Sequence, residues 1–197
     1  MGKSIAITGG IGSGKSTVLN FLKQLGFPVY SCDAIYLELL REKEYVSKLA
    51  SIFPEVVIKD KIDKNRLASI VFSNKCAREQ LNKLAHPLVM ERLLRRMKEE
   101  NSEIVFAEVP LLFEGNFEYL FDEVWVIRRE VDERIKSVCI RDEISPNNVK
   151  ARIESQIDYE DESFQKRIKN NKICLIENKG DLQTLKREVE KRIKIIM

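Results

Sequence analysis

The residues with the clearest chemical potential form the segment Gly9–Thr17, which has the sequence GGIGSGKST. This segment fits the pattern G-x-x-x-x-G-K-[ST], in which a glycine-rich loop joins a strand to a helix. Glycines let such a loop adopt backbone angles that other residues avoid and approach a ligand closely. Its N–H groups then converge on phosphate oxygens at the positive end of the helix. The segment therefore predicts a loop that binds the phosphates of a nucleoside triphosphate.

Two side chains of this loop have distinct expected roles. Lys15 is expected to reach the terminal phosphates, and the Ser16 hydroxyl is placed to bind Mg²⁺. Four of the eight glycines of the chain fall at positions 9, 10, 12 and 14. Such a concentration of glycines is not expected of a turn that binds no ligand. The residues expected to contact the nucleotide are Gly9, Gly10, Ile11, Gly12, Ser13, Gly14, Lys15, Ser16 and Thr17.

Two other predicted strands, over 27–31 and 103–108, have an acidic residue at or just beyond their carboxyl ends. If strand 103–108 lies beside strand 4–8, Glu108 is about 5 Å from the axis of that strand and can hold Mg²⁺ directly or through water. Strand 27–31 then lies further out, and Asp33 is about 10 Å to the side of the loop. A carboxylate there could accept the proton of an attacking hydroxyl. From spacing alone, Asp33 could equally be a helix N-cap, and Glu108 could pair with a lysine at the rim of the sheet.

The order of predicted elements indicates an α/β fold with a doubly wound, five-stranded parallel sheet. Further strands are predicted over 123–127 and 172–176, and a closing helix over 181–195. Residues 34–100 are expected to be helical almost throughout and to form an inserted subdomain. Within it, Asp63 and Ser73 are interpreted as helix N-caps, and Pro87 as the start of another helix. Residues 141–170 are rich in charge and poor in large apolar side chains, which favours a mobile lid carrying arginines, with Ser145 and Pro146 starting one of its helices.

Composition excludes several classes of protein. The 197 residues carry a net charge of only +3, with no polybasic stripe, so nucleic-acid binding is not expected. The four cysteines are scattered, which favours reduced thiols and a cytoplasmic location over a disulfide or zinc framework. No signal peptide is recognised, and no apolar run approaches the length that crosses a membrane.

Several motifs resemble one family, dephospho-CoA kinase. The resemblance covers nearly the whole chain: TGGIGSGKST at Thr8–Thr17, L-x-x-L-x-H-P-L at Leu81–Leu88, P-L-L-F-E at Pro110–Glu114, R-D at Arg141-Asp142, R-I-x-x-Q at Arg152–Gln156, and I-E-N-K-G at Ile176–Gly180, where the family has I-D-N-x-G. P-L-L-F-E and H-P downstream of the phosphate loop are much more specific than the loop itself.

The resemblance implies a P-loop kinase fold and ATP-dependent phosphorylation of the ribose 3′-hydroxyl of dephospho-CoA, with ATP and Mg²⁺ and no membrane or nucleic-acid partner. It implies a nucleotide-binding core over 1–34, 103–130 and 171–197, a helical insertion over 35–102 that binds the acceptor, and a lid over 131–170. A monomer or small homo-oligomer is expected. The resemblance implies that Asp33, Lys15 and Arg141 are catalytic, with Asp33 as the general base. Asn178, beside the loop, is implied to bind the nucleotide, and Ser16 and Glu108 the metal. The implied substrate-binding residues are Asp33, His86, Leu112 and Glu114.

The sequence departs from the family pattern near the second strand. The usual D-A-D is Ser31-Cys32-Asp33, so the first acid is absent and the second is kept. Leu37 and Ser137 stand where the family has arginines, and Arg134 and Arg141 could compensate. These changes concern contacts to the substrate and leave the loop and the predicted base intact.

Two alternative functions remain at this point. A nucleoside-monophosphate kinase shares the architecture and the reaction, although P-L-L-F-E and H-P argue against it. A regulatory GTPase is suggested by Asn178-Lys-Gly-Asp181, which spells the guanine-reading N-K-x-D, but no D-x-x-G occurs in the chain to sense a γ-phosphate.

Overall fold

Short apolar strands alternate with helices along the chain. The computed structural model describes residues 2–58, 61–159, 161, 164, 166 and 172–197. The elements are β1 (Lys3–Thr8), α1 (Lys15–Gln24), β2 (Val29–Ser31), α2 (Cys32–Leu39), α3 (Lys43–Ile52), β3 (Val57–Ile58), β4 (Lys61–Ile62), α4 (Lys64–Ser73), α5 (Lys75–Glu99), β5 (Ile104–Glu108), β6 (Glu123–Arg128), α6 (Val131–Asp142), α7 (Pro146–Glu154), β7 (Ile173–Glu177) and α8 (Leu182–Ile196).

The main sheet is parallel and has the order β2-β5-β1-β6-β7. The register pairs Ile7 of β1 with Glu108 of β5 and Thr8 with Val126 of β6. Runs such as IVFAE at β5 are almost wholly apolar because both faces of a parallel sheet are covered. The predicted α/β fold and the positions of β5 beside β1 and of β2 at the outer edge are confirmed.

The chain divides into two compact units, Met1–Val29 with Glu100–Met197, and Tyr30–Glu99. In the first unit, the core contains Ile5, Phe106 and Trp125 from the sheet, with Leu22 of α1 and Val189 of α8 packed in the same cluster. Phe106 lies between Phe27 and Trp125, with ring centroids 5.4 and 5.1 Å away. This packing stabilises the central strand β1, at whose carboxyl end the glycine-rich loop begins.

The second unit is mostly helical, but three details differ from the sequence prediction. Residues 57–58 and 61–62 form a two-stranded antiparallel ribbon, which is too short for a periodicity to reveal. Pro87 lies inside α5 and does not start a helix. Its missing N–H removes only one bond of a 25-residue helix. Ser73 ends α4, and Asn74 caps α5 instead by accepting a hydrogen bond from the Ala77 N–H at 3.2 Å.

Other predicted caps are confirmed. Asp63 caps α4 by accepting the Arg66 N–H at 3.0 Å, and Ser145 caps α7, with Pro146 at its first position. Residues 59 and 60 of the predicted insertion, 160, 162, 163, 165 and 167–170 of the predicted lid, and 1 and 171 of the predicted core lie outside the described part of the chain. None of the described helices combines the length and the apolar character needed to cross a membrane.

Candidate active site

The glycine-rich loop connects the carboxyl end of β1 to the first residue of α1. Gly9, Gly12 and Gly14 have φ values of 146°, 76° and 101°, which lie in a region that favours glycine. Gly14 occupies the N-cap position of α1, so Lys15 and Ser16 are the first two helical residues. The first N–H groups of a helix have no partner within it, and the loop therefore presents donors and a positive helix end at one point. This geometry suits a phosphate chain.

The Lys15 ammonium lies back against the loop. Its Nζ donates to the carbonyl oxygens of Gly9 and Gly10 at 2.8 and 3.1 Å. Carbonyl dipoles are weaker partners for a cation than phosphate oxygens, because charge-assisted bonds between ionised groups are the stronger ones. The Lys15 ammonium therefore lies beside the start of the loop, bound to two of the loop's own carbonyls.

Side chains from three other parts of the chain bind the backbone of the loop. Gln156 Oε1 accepts the Ile11 N–H at 2.8 Å, and Arg134 Nε donates to the Ile11 carbonyl at 2.9 Å. Asn178 Nδ2 donates to the Ser13 carbonyl at 2.9 Å, while its Oδ1 accepts the Gly180 N–H at 3.1 Å. Sequence reasoning assigned Asn178 to the nucleotide site but gave no structural role to Gln156. The only signal for Gln156 in the sequence is its place in the R-I-x-x-Q motif.

The segment N-K-G-D has a structural explanation. Besides the bonds of Asn178, the Asp181 carboxylate accepts the N–H groups of Gln183 and Thr184 at 3.1 and 2.9 Å and caps α8. The Thr184 hydroxyl also donates to this carboxylate, and that bond, together with the two N–H bonds, holds the pKa of Asp181 below its usual value. The aspartate that would read a guanine base is thus committed to a helix cap.

Glu108 ends β5 beside the start of the loop. It pairs in register with Ile7, and the next residue, Val109, donates its N–H to the Ile7 carbonyl at 3.0 Å. The Thr8 hydroxyl lies 3.4 Å from the Pro110 carbonyl. The P-L-L-F-E segment therefore begins directly beside the loop, as the predicted strand order required.

Within P-L-L-F-E, some side chains are buried and others are exposed to solvent. Leu112 is fully buried, so the structure does not expose this predicted substrate contact, whereas Leu111 is 37% exposed. Glu114 is exposed and its Oε1 lies 3.5 Å from the Ile157 N. Phe113 packs edge-on against Tyr159, and burial raises the pKa of Tyr159 to about 12, with the Thr8 hydroxyl opposing the shift.

A cavity of about 480 Å³ lies against the loop in the first unit. Its wall includes Gly10, Ser13, Arg129, Arg134 and Tyr159. Among the described residues, the buried Ser13 Oγ and Arg129 Nε have no hydrogen-bond partner. The cavity wall therefore combines three arginines and several apolar side chains with four carboxylates, those of Glu130, Glu154, Asp158 and Glu177.

Two predicted site residues lie in the second unit. Asp33 follows β2 by two residues and is the second residue of α2, exposed to solvent. The N-cap position belongs to Ser31, so the interpretation of Asp33 as a cap is wrong. His86 lies within α5 directly before Pro87, and burial lowers its pKa, which favours the neutral imidazole near pH 7.

Arg141, the predicted catalytic arginine, is the next-to-last residue of α6 and forms a bidentate pair with Asp142. Its Nε and Nη2 lie 2.6 and 3.0 Å from the two carboxylate oxygens of Asp142, and this pairing raises the pKa of Arg141. Its side chain is 58% exposed. Arg141 thus remains accessible although its charge is partly compensated.

The donor chemistry of the loop fits magnesium. Among the described residues no group of three or more His, Cys, Asp or Glu side chains could form a protein-only metal site. Mg²⁺ in phosphoryl-transfer sites commonly uses one or two protein oxygens and completes its shell with phosphates and water. A serine hydroxyl at the start of α1 and a carboxylate ending the adjacent strand β5 match that requirement.

Most of the chain matches known proteins of one family. The family model for dephospho-CoA kinase matches residues 3–183. The dephospho-CoA kinase of Thermus thermophilus is 33% identical over 186 residues, covering 94% of this chain and 88% of that protein. The Streptococcus pneumoniae enzyme of that name is 37% identical over 161 residues, covering 79% of this chain and 80% of its own.

Solved structures agree with these relationships. Dephospho-CoA kinase from Campylobacter jejuni aligns with a TM-score of 0.68 and 31% identity, covering 100% of this chain and 98% of the other. A shikimate kinase from Bacteroides thetaiotaomicron aligns with a TM-score of 0.51 at 14% identity, which shows a shared fold only. The family match supports neither of the alternatives, the regulatory GTPase and the nucleoside-monophosphate kinase. The chain therefore belongs to the dephospho-CoA kinase family and is a kinase that transfers phosphate to a hydroxyl group.

Proposed function

We propose that this protein phosphorylates the ribose 3′-hydroxyl of dephospho-CoA with ATP, giving coenzyme A and ADP. The observation that carries the proposal is the family match over residues 3–183, which includes an ordered phosphate loop and the P-L-L-F-E segment beside it. ATP follows from the kinase family. Magnesium, a cytoplasmic location, and a monomeric or small homo-oligomeric state complete the proposal.

In the proposed reaction, the loop binds the β- and γ-phosphates through its N–H groups. Lys15 exchanges the carbonyls of Gly9 and Gly10 for phosphate oxygens, and its charge offsets the negative charge that moves toward ADP. Magnesium, when bound by Ser16 and Glu108, would supply further charge neutralisation on the phosphates. Arg141, exposed at the end of α6, is a second cation for the transferred phosphoryl group.

We assign the acceptor side to Asp33. The bond from the γ-phosphorus to the leaving oxygen of ADP breaks as the bond to the ribose 3′-oxygen forms, and the hydroxyl proton passes to the Asp33 carboxylate. Support comes from its position two residues after β2, its exposure, and its match to the second acid of the family pattern. His86 and Glu114 are proposed acceptor contacts, with His86 in its neutral form.

A coupled assay of ADP release with ATP and one acceptor at a time tests the proposal. We expect rapid turnover with dephospho-CoA and much slower turnover with AMP or GMP. Release of ADP without an acceptor should also be slow, because kinases exclude water from the transferred phosphate. Equal rates with AMP would favour a nucleoside-monophosphate kinase, and equal rates with no acceptor would indicate an NTPase.

A further inference from the structure

The tip of the phosphate loop is attached to α6 and to the segment after α7. Both polar backbone groups of Ile11 are bound by side chains, the N–H by Gln156 Oε1 at 2.8 Å and the carbonyl by Arg134 Nε at 2.9 Å. The Ile11 side chain packs against the small core formed by Ile135, Val138 and Val149. One loop residue therefore has its side chain and both backbone groups engaged.

Neighbouring glycines fit closely around the same helix. A Cβ on Gly12 would lie 2.8 Å from the Arg134 carbonyl oxygen and 2.9 Å from Val138. A Cβ on Gly10 would lie 2.3 Å from the Arg134 guanidinium. These approaches show that α6 is the surface on which residues 10–12 are seated. The loop conformation thus depends on α6 as well as on its own glycines.

The backbones of Arg134 and Gln156 are themselves held in place. Gln156 follows α7, and its N–H donates to the Ile153 carbonyl at 3.0 Å, while the Arg134 N–H donates to Glu130 within the first turn of α6 at 3.0 Å. Side chains whose backbones are fixed lose less freedom when they bind a partner. They are therefore suited to hold the Ile11 peptide groups in one orientation.

We infer that Arg134 and Gln156 are positioning residues that fix the phosphate loop in its binding conformation before the nucleotide arrives. With the Ile11 N–H and carbonyl bound in this way, the remaining donors of the loop and of the α1 terminus keep a fixed orientation toward a phosphate. A loop without these restraints must be ordered during binding, and that cost reduces the affinity for the nucleotide. The inference rests on the proposed function only in taking ATP as the ligand.

Hydrogen exchange of the Ile11 amide tests the contact directly. In the nucleotide-free protein, Gln156→Leu should lower the protection of this amide at least severalfold, because leucine has a similar size but no acceptor. Gln156→Glu should restore the protection, since a carboxylate also accepts an N–H. Unchanged Ile11 protection in Gln156→Leu would overturn the inference.

ATP binding measured by calorimetry without an acceptor tests the consequence. Loss of one neutral hydrogen bond should weaken ATP binding roughly fivefold in Gln156→Leu, and loss of a charged donor roughly tenfold or more in Arg134→Leu. The double variant should lose less than the product of the two, because both side chains hold the same residue. Gln24→Leu and Arg187→Leu, at exposed positions of α1 and α8, are the matched controls and should bind ATP normally.

A purely structural role makes a different prediction. If the two side chains only stabilised the fold, both variants would unfold at a lower temperature, while their affinity and Michaelis constant for ATP would not change. That result would contradict the inference. Under our inference, the Michaelis constant for ATP rises and that for dephospho-CoA stays within about twofold. If the protein bound ATP in this way but failed to phosphorylate dephospho-CoA, the proposed function would fail and the inference would stand.

Discussion

Lys15 combines a fixed backbone position with a long side chain that carries the charge. As the first residue of α1, it has its Cα held by the helix, while its Nζ contacts the carbonyls of Gly9 and Gly10. An alanine at this position keeps the helix but removes the cation. The side chain can therefore be tested separately from the fold of the loop.

Lys15→Ala should reduce the turnover number by roughly 10²–10³-fold, the usual cost of removing one group that stabilises charge in a transition state. The unfolding temperature without nucleotide should change little, because alanine favours the helix. Lys23→Ala, at the exposed far end of the same helix, is the matched control and should retain full turnover. Normal turnover of Lys15→Ala would show that the reaction takes place elsewhere.

Asp33 occupies the second position of α2, where a carboxylate interacts favourably with the helix dipole. That interaction contributes only ~0.3–1 kcal/mol at an exposed site, so a dipole role alone cannot produce a large change in rate. Asp132 occupies the same position in α6 and is also exposed, so it offers a control that isolates the dipole contribution.

Asp33→Asn should reduce the turnover number by roughly 10²–10⁴-fold, because the amide cannot accept the proton of the ribose hydroxyl. ATP affinity should persist, since the phosphate loop is unchanged. Asp132→Asn should lose only the dipole interaction and retain its turnover. If Asp33→Asn kept more than about a tenth of the wild-type turnover, Glu108 or a substrate oxygen would be the better candidate for the base.

At the scale of elements, α1 carries glycines with positive φ at both ends. Gly14, φ 101°, precedes α1, and a Cβ there would lie 2.4 Å from Asn178 Nδ2. Gly26, with φ 86°, follows the helix, and a Cβ there would have no other atom within 4 Å. The two positions therefore share a backbone conformation that L side chains avoid, but they differ in their contacts.

Gly14→Ala and Gly26→Ala should both lower the free energy of unfolding by about 1–2 kcal/mol, the cost of placing an L side chain in the left-handed region. Only Gly14→Ala should also weaken ATP binding, because its Cβ displaces Asn178 from the Ser13 carbonyl. Urea unfolding and calorimetric ATP titration measure the two effects. Equal ATP affinity in both variants would show that Asn178 does not brace the loop.

The main sheet was predictable because buried parallel strands leave a strong signal. Runs such as IVFAE at β5 have few explanations other than a strand covered on both faces. The phosphate loop was predictable because its glycines and Lys15 follow from the chemistry of phosphate binding. Fold and loop thus follow from local patterns of residue type.

Other features depend on contacts between distant residues. The two-residue strands β3 and β4 are too short to show alternation, and Pro87 continues α5 because the rest of a long helix tolerates one missing bond. The contact of Gln156 with Ile11 joins residues 145 positions apart and leaves no local pattern. Only a structure or a motif shared with relatives could have indicated it.

At the scale of the molecule, Glu123 links both ends of the chain at the amino end of β6. Its carboxylate, which is almost buried, binds Lys3 at 3.0 Å, the Trp125 indole N–H at 2.9 Å, and the Arg192 guanidinium of α8. Burial alone would raise the pKa of Glu123, but Arg192, Lys3 and Trp125 together hold it below its usual value. The ionised carboxylate therefore contributes to the stability of the fold.

Glu123→Gln should lower the free energy of unfolding at pH 7 by about 1–3 kcal/mol. This is less than the ~3–5 kcal/mol typical of breaking a fully buried pair, because Lys3 and Arg192 keep some solvent access. Because folding lowers the pKa, the unfolded state takes up the proton first, and the wild-type advantage should shrink as the pH falls below about 4. Urea unfolding at pH 7 and pH 3.5 measures this, with exposed Glu190→Gln as the control. A pH-independent difference would contradict it.

The most direct test of the whole account is the position of the transferred phosphate. Wild-type protein, ATP and Mg²⁺ are incubated with dephospho-CoA or with analogues lacking the ribose 3′- or 2′-hydroxyl, and the products are identified by phosphorus NMR and mass spectrometry. We predict one new phosphomonoester at the 3′-oxygen of dephospho-CoA, a product from the 2′-deoxy analogue, and none from the 3′-deoxy analogue. Phosphorylation of the 3′-deoxy analogue, or release of ADP with no phosphorylated acceptor, would contradict the account.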